Sequence, residues 1–254
     1  MILHAIEAGP PAAPPVVLLH GLFGQARNFG AVQRALAARF RVIALDARNH
    51  GDSPHAAGMD YPTMAADVLE TLQARGALPC ALIGHSMGGK TAMRVALDSP
   101  DALTRLLVAD IAPVSYPSHH GAYVAAMAAL PLTPGLTRAA ADAALSAAIP
   151  DTLMRGFLLQ NLRPGAAPAW RNGLAEIAAS LPALESWPES DAAPWPGPAL
   201  FVRGERSDYV PPDVRPAIRA RFPAARFVTI KQAGHLVHTD APAVFLALVE
   251  SFLR

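Results

Sequence analysis

Cys80-Ala81-Leu82-Ile83-Gly84-His85-Ser86-Met87-Gly88-Gly89-Lys90-Thr91-Ala92-Met93-Arg94-Val95-Ala96-Leu97 is the stretch whose reading decides the fold. The apolar run Cys80 to Ile83 reads as a buried strand, and the segment after Gly88 is compatible with a helix. Between them Gly84-x-Ser86-x-Gly88 reads as a sharp strand-to-helix turn. A serine hydroxyl is a weak nucleophile until a base takes its proton, and such a turn pushes the side chain out of the sheet to where a base can reach it. The glycines two residues either side relieve the crowding. Ser86 is therefore the candidate nucleophile.

Working outward, apolar strands alternate with helical patterns on both sides of this turn. Upstream, Ile2 to Ala8 forms a short strand, and Gly9-Pro10-Pro11-Ala12-Ala13-Pro14-Pro15 is a surface connection because proline cannot donate to a ladder. Val16-Val17-Leu18-Leu19 runs into His20-Gly21-Leu22-Phe23-Gly24, a helical pattern spans Asn28 to Arg39, and Arg41 to Asp46 is a further strand. A helix over about Thr63 to Arg75 precedes Cys80, and Leu103 to Asp110 makes the next strand. Alternation of this kind predicts a mostly parallel sheet with helices on both faces.

After Asp110-Ile111-Ala112-Pro113 the rhythm changes. Residues 114–196 hold no convincing buried strand but carry Ala- and Leu-rich helical patches over Tyr123 to Leu130, Arg138 to Ala148, Thr152 to Gln160 and Trp170 to Leu181. This reads as a helical cap inserted into a core made of residues 1–113 and 197–254. The sheet resumes at Ala199-Leu200-Phe201-Val202, followed by a helix near Pro212 to Arg221, a strand over Ala225 to Ile230, the loop Ala233-Gly234-His235 and a helix over Pro242 to Leu253.

The motifs His20-Gly21-Leu22-Phe23-Gly24, Arg48-Asn49-His50-Gly51-Asp52-Ser53, Gly84-His85-Ser86-Met87-Gly88, Asp110-Ile111-Ala112-Pro113 and Gly234-His235 together resemble the α/β-hydrolase superfamily, and within it the small bacterial YbfF-type esterases. The resemblance covers both ends of the chain; the insertion is similar only in size and helical character. It implies an α/β-hydrolase fold of about seven strands, one fewer than the full eight. His235, preceded by a glycine in the loop after the last strand, stands where the general base of that fold sits, and imidazole is suited to exchange a proton near neutral pH. The backbone N–H groups of Leu22 and Met87 are the expected oxyanion donors. Phe23, His85, Tyr116, Tyr209 and Leu236 are the expected pocket wall.

Two aspartates compete for the acid that orients His235. Asp208 follows the strand after the insertion and would give the chain order Ser, Asp, His, but it lies one residue further from Gly204 than the commonest spacing. Asp110 ends the strand after the nucleophile's helix, at the carboxyl edge where sites gather. The resemblance to YbfF-type chains, in which the Asp-Ile-Ala-Pro stretch can supply the acid, favours Asp110.

The expected activity is hydrolysis of carboxylic esters or thioesters with short to medium acyl chains, including acyl-CoA, by an acyl-enzyme route without cofactor or metal. Carbon–carbon bond hydrolysis, cofactor-free perhydrolysis, and ligand binding without chemistry are the alternatives on the same constellation. Net charge is +1, from 21 basic and 20 acidic residues, with no long basic run, which disfavours nucleic acid or an anionic membrane as partner. His235 and His238 have a metal-like spacing but no accompanying ligand set, and His119-His120 reads as solvated. Gly88-Gly89-Lys90-Thr91 resembles the tail of a P-loop, but nucleotide binding is not the expected function. The lone cysteine, Cys80, reads as a small buried hydrophobe. Without a signal-like start or a membrane-length apolar run, the expected location is the cytoplasm.

Overall fold

The computed structural model describes every residue except His119 and Glu189. Among the described residues, nine strands form in chain order: β1 (Ala5–Ala8), β2 (Pro15–Leu19), β3 (Arg41–Leu45), β4 (Cys80–His85), β5 (Leu103–Ala109), β6 (Leu162–Arg163), β7 (Ala169–Trp170), β8 (Ala199–Gly204) and β9 (Ala225–Ile230). Seven of them make one sheet in the order β1-β3-β2-β4-β5-β8-β9, parallel throughout except for the edge strand β1. The chain is an alpha/beta hydrolase fold with helices on both sheet faces.

Burial on both faces explains the near-continuous apolar character of the central strands. Val17, Leu19, Ile43, Leu82, Leu106, Val108 and Phe201 pack on one side of the sheet. Val16, Leu18, Val42, Ile83, Leu107, Leu200 and Val202 pack on the other. The helices covering these faces include α1 (Gly30–Leu36), α2 (Tyr61–Ala74) and α3 (Met87–Asp98). Strand order reverses between β2 and β4, and a crevice opens beyond the carboxyl ends of strands at such a switch point. The register brings those ends level: Leu19 pairs with Gly84, His85 with Ala109, and Ala109 with Val202. The loops after β2, β4, β5 and β8 therefore meet at one place.

Between β5 and β8 the chain forms α4 (Gly121–Ala129), α5 (Arg138–Leu145), α6 (Thr152–Leu159) and α7 (Leu174–Glu185), together with the β6-β7 hairpin. The hairpin was not legible as strand, because two residues a side are too short for any alternation to register. It removes Trp170 from α7, which starts instead after Gly173 and runs through Pro182 to Glu185. After the cap come α8 (Arg215–Arg221), α9 (Val237–Asp240) and α10 (Pro242–Leu253).

Other departures from the sequence reading are local. α2 begins at Tyr61 rather than Thr63 because the Asp60 carboxylate caps it, accepting from Thr63 N at 2.7 Å, while Pro62 fits the first turn. Ordering of β1 starts only at Ala5. Before it, Leu3 N donates to Thr71 Oγ1 and His4 N to Ser53 Oγ, so those groups leave the ladder. The pattern over Asn28 to Arg39 splits into a 3-10 turn, Ala26–Phe29, and the shorter α1.

The end of α7 is docked on the core through three successive carbonyls. Leu184 O accepts from the Tyr61 hydroxyl, Glu185 O from Tyr116 N at 2.8 Å, and Ser186 O from Lys90 Nζ at 2.7 Å. Lys90 is 1% exposed and its ammonium lies 5.2 Å from the Tyr61 ring centre and 4.9 Å from that of Tyr116. Burial pulls the Lys90 pKa down from its ordinary 10.5 to about 7. Between those two values the unfolded chain holds a proton on Lys90 that the folded chain has lost, so folding stability rises with pH across the window. In urea unfolding, the parent is expected to gain on the order of 3 kcal/mol relative to Lys90→Met between pH 7 and 9.5. Parallel pH curves for the two proteins would show that the amine is not desolvated.

Candidate active site

Ser86 occupies the turn between β4 and α3 with φ 53° and ψ −120°. The turn is tight enough that a Cβ on Gly84 would lie 2.2 Å from Gly88 O, and one on Gly88 would lie 2.4 Å from Leu19 O. Larger residues at either place would push the backbone apart, so the strained conformation depends on both glycines. The Ser86 backbone N–H continues the ladder to Ala109 O at 3.0 Å.

His235, in the loop after β9, reaches both neighbours. Its Nε2 lies 3.0 Å from Ser86 Oγ and its Nδ1 lies 2.8 Å from Asp110 Oδ2. Asp110 is fully buried at the end of β5, itself with φ 55°. Its carboxylate is received by donors on every side: Gly204 N at 2.9 Å on Oδ1, and the Ser207 hydroxyl with His235 on Oδ2. Such charge-assisted bonds compensate for the burial of the anion. Tyr209 stacks on the His235 ring at 4.1 Å between centres, limiting its rotation.

Asp208, the competing aspartate, is exposed and lines an open groove together with Arg206, Tyr116 and His235, while His235 Nδ1 is engaged by Asp110 Oδ2. Its neighbour Ser207 turns inward to Asp110. Nothing in the composition of Gly204-Glu205-Arg206-Ser207-Asp208 marks Ser207 for this; only the approach of β8 to β5 does.

Leu22 and Met87 flank the serine. Met87 opens α3, so its N–H has no partner one turn back. Gly21, just before Leu22, runs directly against the serine, since a Cβ there would lie 3.1 Å from Ser86 Cβ. Two residues absent from the expected site shape this loop. His50 Nε2 accepts from Phe23 N at 3.1 Å, and Asn161 of the cap donates to Phe23 O at 2.7 Å. Burial, reinforced by the nearby His20, lowers the His50 pKa to about 3 and keeps Nε2 free to accept. His50 lies in the motif Arg48-Asn49-His50-Gly51-Asp52-Ser53, one of those that carry the family resemblance.

A cavity of about 260 Å³ opens over Ser86 and His235. Phe23, His85, Leu236 and Tyr209 form its core side, and Tyr123, Met154 and Phe157 its cap side. Tyr116 lines instead a recess of about 30 Å³ beside Ser86, with Leu22, Met87, Lys90 and Tyr209. The Tyr116 hydroxyl is engaged, donating to Tyr209 O at 2.7 Å and accepting from Ala112 N at 2.9 Å. His120, read as solvated, is half-buried at the cavity wall with Nδ1 3.2 Å from Glu185 Oε1; His119 lies outside the described residues. His238 stacks on Phe29 at 4.7 Å, and burial lowers its pKa to about 4.

The family model for the alpha/beta hydrolase fold matches residues 14–242. The chain belongs to this family. Among curated relatives of this hydrolase-family chain, the sn-1-specific diacylglycerol lipase ABHD11 of Mus musculus is 42% identical over 96% of the chain and 82% of its own length. Esterase YbfF of Escherichia coli is 36% identical over 94% of the chain and 93% of its own length. The solved structure of a marine microorganism esterase superposes with a TM-score of 0.96 at 34% identity, covering 99% of both chains. Among the described residues, no helix is long and apolar enough to cross a membrane.

Proposed function

We propose that this chain hydrolyses carboxylic esters and thioesters of short to medium acyl chains through an acyl-enzyme on Ser86. The hydrogen-bonded series Ser86 Oγ, His235, Asp110, opening into an apolar cavity, is the observation that carries the reading. The relatives named as esterase and lipase support it. His235 Nε2 takes the Ser86 proton as Oγ adds to the acyl carbon. The carbonyl pair moves onto oxygen, where the N–H groups of Leu22 and Met87 receive the charge, each donor supplying about 2.7 to 4 kcal/mol of transition-state stabilisation. Collapse expels the alkoxide or thiolate, which takes the proton from His235. A water then repeats the sequence in reverse, with His235 as its base, and frees the acid. Asp110 holds the imidazole with Nδ1 protonated and stabilises the cation that forms.

The cavity lies just below the volume range of typical ligand pockets, which suits acyl groups shorter than those of long-chain lipids. Because the 114–196 cap supplies one wall, chain-length preference should be set there. The test is turnover of p-nitrophenyl esters from acetate to decanoate, with acyl-CoA thioesters alongside. Phe157→Ala is expected to raise kcat/KM for the decanoate relative to the butyrate by about 10-fold, the scale of one or two buried methylenes. A uniform change across all chain lengths would place the acyl group elsewhere.

A further inference from the structure

His85 precedes Ser86, is 4% exposed, and its side chain reaches the base loop rather than the nucleophile. Its Nε2 lies 2.8 Å from the backbone carbonyl oxygen of His235. A carbonyl only accepts, so Nε2 carries the hydrogen, and in the neutral ring Nδ1 is bare. That bare nitrogen faces the loop before Leu22, since a Cβ on Gly21 would lie 2.9 Å from it. The ring also rests 4.7 Å from the His235 ring and 4.8 Å from that of His238. Burial, and then the two neighbouring imidazoles, hold its pKa well below the ordinary histidine value, in keeping with a ring that stays neutral.

His235 is thus fixed at two separate points. Asp110 holds its ring, whereas the position of the backbone from which that ring projects is set by its carbonyl. The neighbouring Leu236 carbonyl is taken by the short helix that follows, accepting from Thr239 N and Asp240 N at 2.8 Å each. The His85 bond instead ties the loop to β4, the strand that carries Ser86.

We propose that His85 is a positioning residue for the hydrolytic reaction: its Nε2–H···O=C bond to His235 holds the base loop against the nucleophile turn and thereby sets the distance from the His235 imidazole to Ser86 Oγ. The proposal rests on the Ser86–His235 reading given above. A displacement of about 1 Å at reacting groups costs about 10²-fold in rate, and this bond is a direct side-chain link from β4 to the loop backbone that opposes it.

Two substitutions separate the bond from the bulk. His85→Phe keeps an aromatic ring and removes the donor, whereas His85→Gln returns an amide N–H to the same reach. With p-nitrophenyl butyrate, the Phe variant is expected to lose about 10²-fold in kcat with KM changed less than about 2-fold. The Gln variant is expected to recover at least about 10-fold of that loss, and fluorophosphonate labelling rates should follow the same order. Equal kcat for the two variants, or a loss confined to KM, would overturn the proposal. A measurement on the parent alone avoids any failure of the variants to fold. Nitrogen NMR of the ¹⁵N-histidine-labelled protein is expected to show His85 protonated at Nε2 and bare at Nδ1 across pH 5 to 8. A ring bare at Nε2, which cannot donate to the His235 carbonyl, would overturn it. A parent with no turnover and no fluorophosphonate labelling would instead sink the hydrolase reading, leaving the NMR result to stand by itself.

Discussion

Alanine at position 86 is expected to lower ester turnover by about 10⁶-fold while the protein stays folded. That is the scale on which removing a triad nucleophile abolishes the acyl-enzyme route. The substitution removes only Oγ, whose hydrogen-bond partner is His235 Nε2 at 3.0 Å, at the floor of a cavity that water can enter. Alanine and serine meet the same backbone restriction at φ 53°, so the turn itself is not relieved by the change. Steady-state turnover and labelling by a fluorophosphonate probe check this together. Equal labelling of parent and variant would remove Ser86 from the reaction.

Asp110→Asn is expected to cost about 10⁴-fold, the effect of fixing a catalytic histidine in the wrong tautomer. Three donors converge on the Asp110 carboxylate: Gly204 N on Oδ1, and Ser207 Oγ with His235 Nδ1 on Oδ2. An asparagine keeps its oxygen toward Gly204 N, which cannot be anything but a donor. The amide nitrogen then falls where Oδ2 was. The Ser207 hydroxyl can rotate to accept from it, but His235 must present a bare Nδ1, which moves its hydrogen to Nε2. An Nε2 that already carries hydrogen cannot take the Ser86 proton. Asp208→Asn, changing an exposed side chain, is expected to cost less than about 3-fold. Rates measured on folded variants decide between the two aspartates, and the opposite ranking would assign the acid role to Asp208.

The difference between these two aspartates also marks where sequence reading ends. The turn around Ser86 was legible because its requirements are local. A strand, a residue forced to φ 53°, and two glycines at places where a Cβ would strike backbone all lie within nine residues. The helix over Pro242–Leu253 was legible for the same reason, since a first-turn proline and apolar residues at helical spacing need no distant partner. The parallel sheet followed from alternation of such segments along the chain, and matching by the family model over residues 14–242 bears out that reading.

Which carboxylate meets His235 has no local signature. Asp110 and Asp208 follow adjacent strands, β5 and β8, at the same edge of the sheet, and each is a short acidic side chain in a turn. The choice comes from side-chain direction. Asp110 leaves β5 with φ 55° and turns inward, where Gly204 and Ser207 receive it, and with Ser207 pointing in, the next residue points out. His50 and Lys90 show the same limit. Their bonds, to Phe23 N across 27 positions and to Ser186 O across 96, join segments that only the packed chain brings together. By itself the sequence determined the strands of the main sheet, most of the helices and the turn that bears the serine, because backbone sterics and hydrophobic periodicity act over a few residues. The tertiary structure decided which polar groups surround His235 and Asp110, Ser207 among them, because a buried polar group must find its hydrogen bond wherever the fold places a complementary atom.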